Sequence, residues 1–139
     1  MTNYVAGLMF NKLGTEVALV EKKKFPPGAD WSLTPYNAIG GKIEPNEFSY
    51  EAMLREFKEE TGVSQPFWDK FLILEGSGWQ VEFYKCFTDK VYNVRTMEEE
   101  TIIVSSVTTI LGAVVPNMKW ILPLALDKSA IGVAIAKER

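Results

Sequence analysis

The chain has 139 residues, 47% of them hydrophobic and 24% charged, with a net charge of −3. That suits one globular domain and gives no surplus of Lys and Arg to build a polyanion groove. With no histidine and a single cysteine, Ser-His-Asp and Cys-His catalysis, His-ligated zinc and internal disulfides are excluded, which leaves carboxylate chemistry with hard oxygen ligands and hard metals.

In chain order, Tyr4–Phe10 and Glu16–Glu21 read as β-strands. Asn11-Lys12-Leu13-Gly14 between them suits a hairpin turn. The N-terminal run lacks a basic leader, and no apolar run approaches the ~18 residues of a membrane span, so a cytoplasmic protein is expected. Lys22–Pro35 carries three prolines and a glycine and reads as a long loop. Tyr36–Gly41 ends on a Gly-Gly pair, and Lys42–Asn46 is a further loop. Phe48–Thr61 has a helical pattern, with Ser49 or Asn46 as its cap and Gly62 as its stop. Phe71–Leu74, Trp79–Phe87 and Thr101–Val104 are further strands, separated by the polar stretch Asp89–Glu100. Asn117–Leu126 reads as a short apolar helix, and the tail from Asp127 has no clear pattern. Cys86 falls in the alternating stretch Val81–Phe87 and is expected to be a buried structural thiol. This order predicts an α/β fold over residues 1–139, a mixed sheet sandwiched by helices in a single domain.

On a helical wheel, Glu56, Glu59 and Glu60 share one arc, because they are spaced i, i+3 and i+4. Tyr50, Met53, Leu54 and Phe57 form an apolar arc, and Ala52 falls on the glutamate side, where a small residue leaves room for a ligand. A solvated acidic face costs only ~0.2–0.5 kcal/mol per like-charged pair, so the bland reading stays open. In a cleft, two carboxylates ~4 Å apart cost about 4 kcal/mol at an effective dielectric of 20, and a divalent cation becomes the natural partner. The context favours a site. Gly40-Gly41 allows a close backbone approach, Glu47 adds a fourth carboxylate, and Arg55 can clamp a neighbouring carboxylate with a two-pronged contact.

Together the residues spell Gly41-x5-Glu47-x7-Arg55-Glu56-Phe57-x-Glu59-Glu60-x-Gly62-Val63. This run resembles the full Nudix box, the signature of hydrolases that act on a nucleoside diphosphate linked to another moiety. Every fixed letter is satisfied, and with glycine at about 7% of average composition a chance match is on the order of one in 10⁸ per position. The resemblance implies a Nudix-type α/β/α sandwich with a mixed β-sheet, and Mg²⁺ as cofactor with Mn²⁺ able to substitute. It implies Glu56, Glu59 and Glu60 as metal ligands, Gly40 as a carbonyl ligand, and Arg55 with Glu47 as an orienting pair. A further carboxylate from a later loop is expected from the run Glu98–Glu100, with Glu99 or Glu100 preferred.

Outside the box, Asn37-Ala38-Ile39-Gly40-Gly41-Lys42 and Pro116-Asn117-Met118-Lys119-Trp120 resemble the MutT-like branch that hydrolyses oxidised purine nucleoside triphosphates. The expected substrate contacts are Asn37 and Asn117 on the base, Lys42 on phosphate, and Trp120 or Trp31 stacked on the base, with core packing the other reading of Trp120. The basic run Lys22–Lys24 reads as a solvated strand end that could also reach phosphate. Ser64–Trp68 faintly resembles a motif of the NADH-cleaving branch, but it abuts the box and reads as a loop. The resemblance thus implies a nucleotide substrate, with ADP-ribose, NADH, dinucleoside polyphosphates and capped RNA as other substrates of the same chemistry. An inactive Nudix-fold nucleotide-binding regulator is a further reading. No membrane partner and no stable nucleic-acid partner are expected, and the chain is expected to be a monomer or homodimer.

Overall fold

The computed structural model describes residues 1–139. The strands are β1 (Thr2–Phe10), β2 (Glu16–Glu21), β3 (Tyr36–Asn37), β4 (Ile39–Lys42), β5 (Asp69–Gly76), β6 (Trp79–Phe87), β7 (Ile102–Ser106) and β8 (Ala134–Lys137). The helices are α1 (Ser49–Thr61), α2 (Val107–Ile110) and α3 (Met118–Leu126). No helix is long and apolar enough to cross a membrane.

A forked hairpin organises the sheet. β1 and β2 are paired beside their turn, at Met9↔Ala18 and Phe10↔Val17. Beyond that they diverge, and the continuous stretch β3–β4 fills the gap. Its first half pairs antiparallel with the end of β2 and its second half antiparallel with the start of β1. This wedge sets Gly40 and Gly41 opposite Ala6 and Val5. On the other edge of β1, β6 runs parallel over the whole strand, followed by β5 antiparallel and β8 parallel at the margin. β7 pairs with β2 on the opposite side. The result is an open mixed sheet.

Period-two alternation divides the core into two layers. Leu8, Phe10, Val17 and Leu19 face α3, packing with Met118, Ile121, Leu122 and Ala125. Val5, Met9, Ala18 and Val20 face α1, packing with Ala52, Met53 and Phe57. Buried Cys86 joins the α1 layer, where loss of hydration pushes its thiol up to about 12. It is a small core residue, as expected.

Several local expectations need correcting. Ala52 does not open the glutamate face to a ligand; it is fully buried in the layer beneath α1, where its small side chain permits close packing of helix on sheet. Neither Ser49 nor Asn46 caps α1. Phe48 takes the cap position, its N–H donating to the Glu51 carboxylate at 2.9 Å, while Ser49 Oγ pairs with Tyr84 Oη. Gly62 does end the helix, at φ +78° with its N–H on the Lys58 carbonyl. The patternless tail contains β8, and the polar stretch after β6 contains a 3₁₀ turn at Asp89–Asn93.

Candidate active site

Arg55 organises the acidic face of α1. Its Nε and Nη2 donate to the two oxygens of Glu47 at 2.7 and 3.0 Å, a two-pronged contact. Nη2 also donates to the Lys42 carbonyl at 3.0 Å, tying the helix to the end of β4. Nη1 reaches Glu56 Oε1 at 2.9 Å and Glu59 Oε2 at 3.3 Å. One guanidinium therefore bridges three carboxylates, and its single positive charge leaves the cluster net negative. The Arg55 hydrogen bonds are the main reason that Glu47 titrates below its usual range.

Glu60 is different. Its Oε2 is buried with no hydrogen-bond partner. Burial, then the charge of Glu56, pushes its carboxyl up to about 7, against the pull of Lys22. Burial also raises Glu56, opposed by Arg55 and assisted by the charges of Glu59 and Glu98.

Glu98 arrives through the end of the helix. The last carbonyls of α1 need partners, and two are supplied by the loop after β6: Arg95 N–H donates to the Thr61 carbonyl at 3.1 Å and Met97 N–H to the Glu60 carbonyl at 3.2 Å. This docking sets the next residue, Glu98, where its charge acts on both Glu56 and Glu60. The sequence expectation prefers Glu99 or Glu100 from this run. Glu100 is already engaged, its Oε1 on Lys22 Nζ at 2.9 Å and its Oε2 on the Lys23 N–H at 2.7 Å. Although burial alone would raise the Glu100 carboxyl, these partners hold it low. Glu99 lines a polar recess with Glu60, Glu98, Glu100 and Lys22–Lys24.

A hard divalent cation fits this donor set. The donors are all oxygens, one is a buried carboxylate oxygen without a partner, and Gly41 leaves the space beside Glu56 open, since a Cβ there would lie 2.6 Å from its carboxyl. No three carboxylates converge at ligand distance in the present arrangement. Arg55 Nη1 holds an oxygen of both Glu56 and Glu59, so the cation would compete with Arg55 for those two.

The same site opens into a cavity of about 680 Å³. Gly40, Gly41 and Glu60 line one part of it together with Lys22 and Lys24. Asn37 and Asn117 contribute amides, and Tyr4, Ala6, Trp79, Val81 and Phe83 an apolar wall. Asn37 Oδ1 accepts from the Ala38 N–H at 2.8 Å, leaving its amide NH₂ without a partner. The Asn117 side chain makes no capping hydrogen bond at the start of α3. Trp31, on the long loop, lines the cavity as well.

Two expected substrate contacts lie elsewhere. Trp120 does not line the cavity and is 43% exposed, because Met118, Ile121, Leu122 and Ala125 take the inward face of α3. Core packing, the other reading of this residue, is ruled out too. The Lys42 side chain is exposed outside the cavity, and it is the residue's carbonyl, held by Arg55, that belongs to the site.

The NUDIX domain family model matches residues 2–92, the stretch that carries the forked hairpin, the wedge and α1. The chain belongs to the Nudix family and is a Nudix hydrolase, a class that generally uses a divalent metal. The fold is also that of solved MutT-type structures. The chain is 19% identical to a structure of MutT from Aliivibrio salmonicida and Vibrio cholerae, with TM-score 0.72, covering 90% of this chain and 97% of that one. It is 18% identical to a mutator MutT protein from Bacillus halodurans, with TM-score 0.71, covering 98% of this chain and 90% of that one. A nudix hydrolase family member from Chromobacterium violaceum is 17% identical at TM-score 0.59, over 88% of this chain and 74% of that one. No curated protein matches the chain.

Proposed function

We propose that the protein is a Mg²⁺-dependent hydrolase of nucleoside triphosphates, oxidised purine nucleotides such as 8-oxo-dGTP among them, yielding the monophosphate and pyrophosphate. One observation carries this reading: a single cavity joins Glu60, on the acidic face of α1, to an aromatic wall with unpartnered amides. A nucleotide has the matching parts, a polyanion at one end and a flat base at the other.

Glu56, Glu59 and Glu60 would hold the cation with the Gly40 carbonyl, and Glu98 replaces Glu99 and Glu100 as the late-loop carboxylate. When bound, a divalent cation neutralises diphosphate oxygens and lowers the pKa of a coordinated water. The chain's own groups supply the rest. Glu59 has a half-exposed side chain and Glu98 is exposed, so either can take a proton from water. Lys22, held by Glu100, and Lys24 line the cavity and offer positive charge to phosphate oxygens. The amide groups of Asn37 and Asn117 can each donate and accept, which suits a purine edge. A single buried thiol in a disulfide-free chain is in keeping with a reducing, cytoplasmic setting.

The test is a phosphate- and pyrophosphate-release screen over canonical and oxidised nucleoside triphosphates, ADP-ribose, NADH and dinucleoside polyphosphates, with Mg²⁺ or EDTA. Mg²⁺-dependent pyrophosphate release from a nucleoside triphosphate is the expected result. Turnover confined to ADP-ribose or NADH would overturn the substrate assignment, and binding without turnover would identify a regulator.

A further inference from the structure

The last strand of the sheet places a carboxylate in this cavity, on the face where apolar side chains are the rule. β8 pairs parallel with β5, with Leu74↔Ala136 and Glu75↔Lys137 in register, and the pairing continues as the Glu138 N–H donates to the Glu75 carbonyl at 2.8 Å. Alternation then sorts the side chains. Ala136 packs against the α3 layer of the core, Lys137 turns to the opposite face, and Glu138 returns to the side of Ala136, where it lines the cavity. No ion pair engages it.

Its neighbour across β5 is Trp79, one of the aromatic side chains lining the cavity. Gly76 follows Glu75 and pairs with Trp79. Built with a Cβ, Gly76 would collide with the Trp79 indole, so the ring occupies the space that a side chain at Gly76 would fill. Trp79 and Glu138 therefore meet the cavity from either side of the same short piece of β5. A flat ring offers stacking, and a carboxylate beside it offers two acceptors and no donor.

We propose that Glu138 is a specificity-determining residue that selects a guanine-type base, by accepting from adjacent N–H groups on a ring stacked at Trp79. This rests on the nucleotide reading given above and deepens it. Guanine presents N1–H and the 2-amino group side by side, a fit for the two oxygens of one carboxylate. Hypoxanthine keeps only N1–H. Adenine presents an acceptor at N1, which a carboxylate repels. The amides of Asn37 and Asn117 donate and accept alike and tolerate either purine. Of the polar groups at the base end, the carboxylate of Glu138 is the one that distinguishes them.

The experiment measures kcat and KM for GTP, ITP and ATP in the wild type, Glu138→Ala, Glu138→Gln and the opposite-face control Lys137→Ala. The wild type is expected to prefer GTP over ITP and ITP over ATP. In Glu138→Ala the KM for GTP rises about tenfold to a hundredfold, the size of a charge-assisted hydrogen-bond loss, while kcat holds and the preference over ATP collapses. Glu138→Gln, which regains a donor, improves ATP relative to GTP, and Lys137→Ala leaves the order intact. If the triphosphates are cleaved but Glu138→Ala keeps the wild-type order of bases, or the wild type shows no guanine preference, the role of Glu138 is overturned and the nucleotide reading stands. If none of the three is cleaved, the nucleoside triphosphate reading falls, and this inference with it.

Discussion

Glu60 and Arg55 are the residues on which the proposed chemistry turns, and they pull in opposite directions. Arg55 quiets Glu47, Glu56 and Glu59, whereas Glu60 has a buried oxygen with nothing to bind. Glu59→Gln and Glu60→Gln are each expected to lower turnover about a hundredfold or more with unchanged circular dichroism; wild-type rates in both would contradict the metal-site assignment. The raised pKa of Glu60 has a consequence for stability. Folding favours its protonated form, so that contribution is fully present below the unfolded value near 4.5 and is lost as pH rises to about 7. The metal-free protein should therefore lose stability over that window relative to Glu60→Gln. Urea titrations of both proteins from pH 4.5 to 8 check this, and parallel curves would exclude it.

Among the elements, α1 was the most legible in the sequence. Its periodicity is local, and three glutamates at i, i+3 and i+4 must share a face wherever the helix is packed. Which late carboxylate faces them was not legible. That depends on two backbone hydrogen bonds from Arg95 and Met97 to the C-terminal carbonyls of α1, and no side-chain pattern encodes them. Trp120 is expected at the base only through the resemblance of Pro116–Trp120 to the MutT-like branch, and that short match does not fix which arc of α3 turns inward; Met118, Ile121, Leu122 and Ala125 do. Glycines make the helix junctions testable. Gly41→Ala would set a Cβ 2.6 Å from the Glu56 carboxyl, and is expected to weaken Mn²⁺ binding about tenfold to a hundredfold by calorimetry. Gly62→Ala forces a side chain into φ +78° and against Arg95 Nε at 3.0 Å, and should cost about 1 kcal/mol in urea unfolding. Because it also disturbs the Arg95–Met97 loop, turnover should fall with stability.

For the whole molecule, the β-favouring runs Tyr4–Phe10 and Glu16–Glu21 and the order of strands around one strong helix were enough to anticipate a mixed sheet packed by helices. The fork between β1 and β2 was not visible, since it arises from the later stretch β3–β4 inserting between the two strands of a hairpin. Nor was β8, whose Ile135 is exposed, as are Ile131 and Val133 just before it, and whose strand character comes from the free edge of β5. The cavity exists because of these long-range events. It brings residues from both ends of the chain, Tyr4 and Glu138, to the site of Glu60.

The joining of carboxylates and cavity into one site is tested most directly by Mn²⁺ binding, followed by electron paramagnetic resonance, with and without a non-hydrolysable nucleoside triphosphate. Wild-type protein should bind Mn²⁺ more tightly when the nucleotide is present, and Glu60→Gln should lose that gain along with tenfold to a hundredfold of affinity, roughly the cost of disturbing a metal site. Equal Mn²⁺ affinity in the two proteins, indifferent to nucleotide, would contradict it.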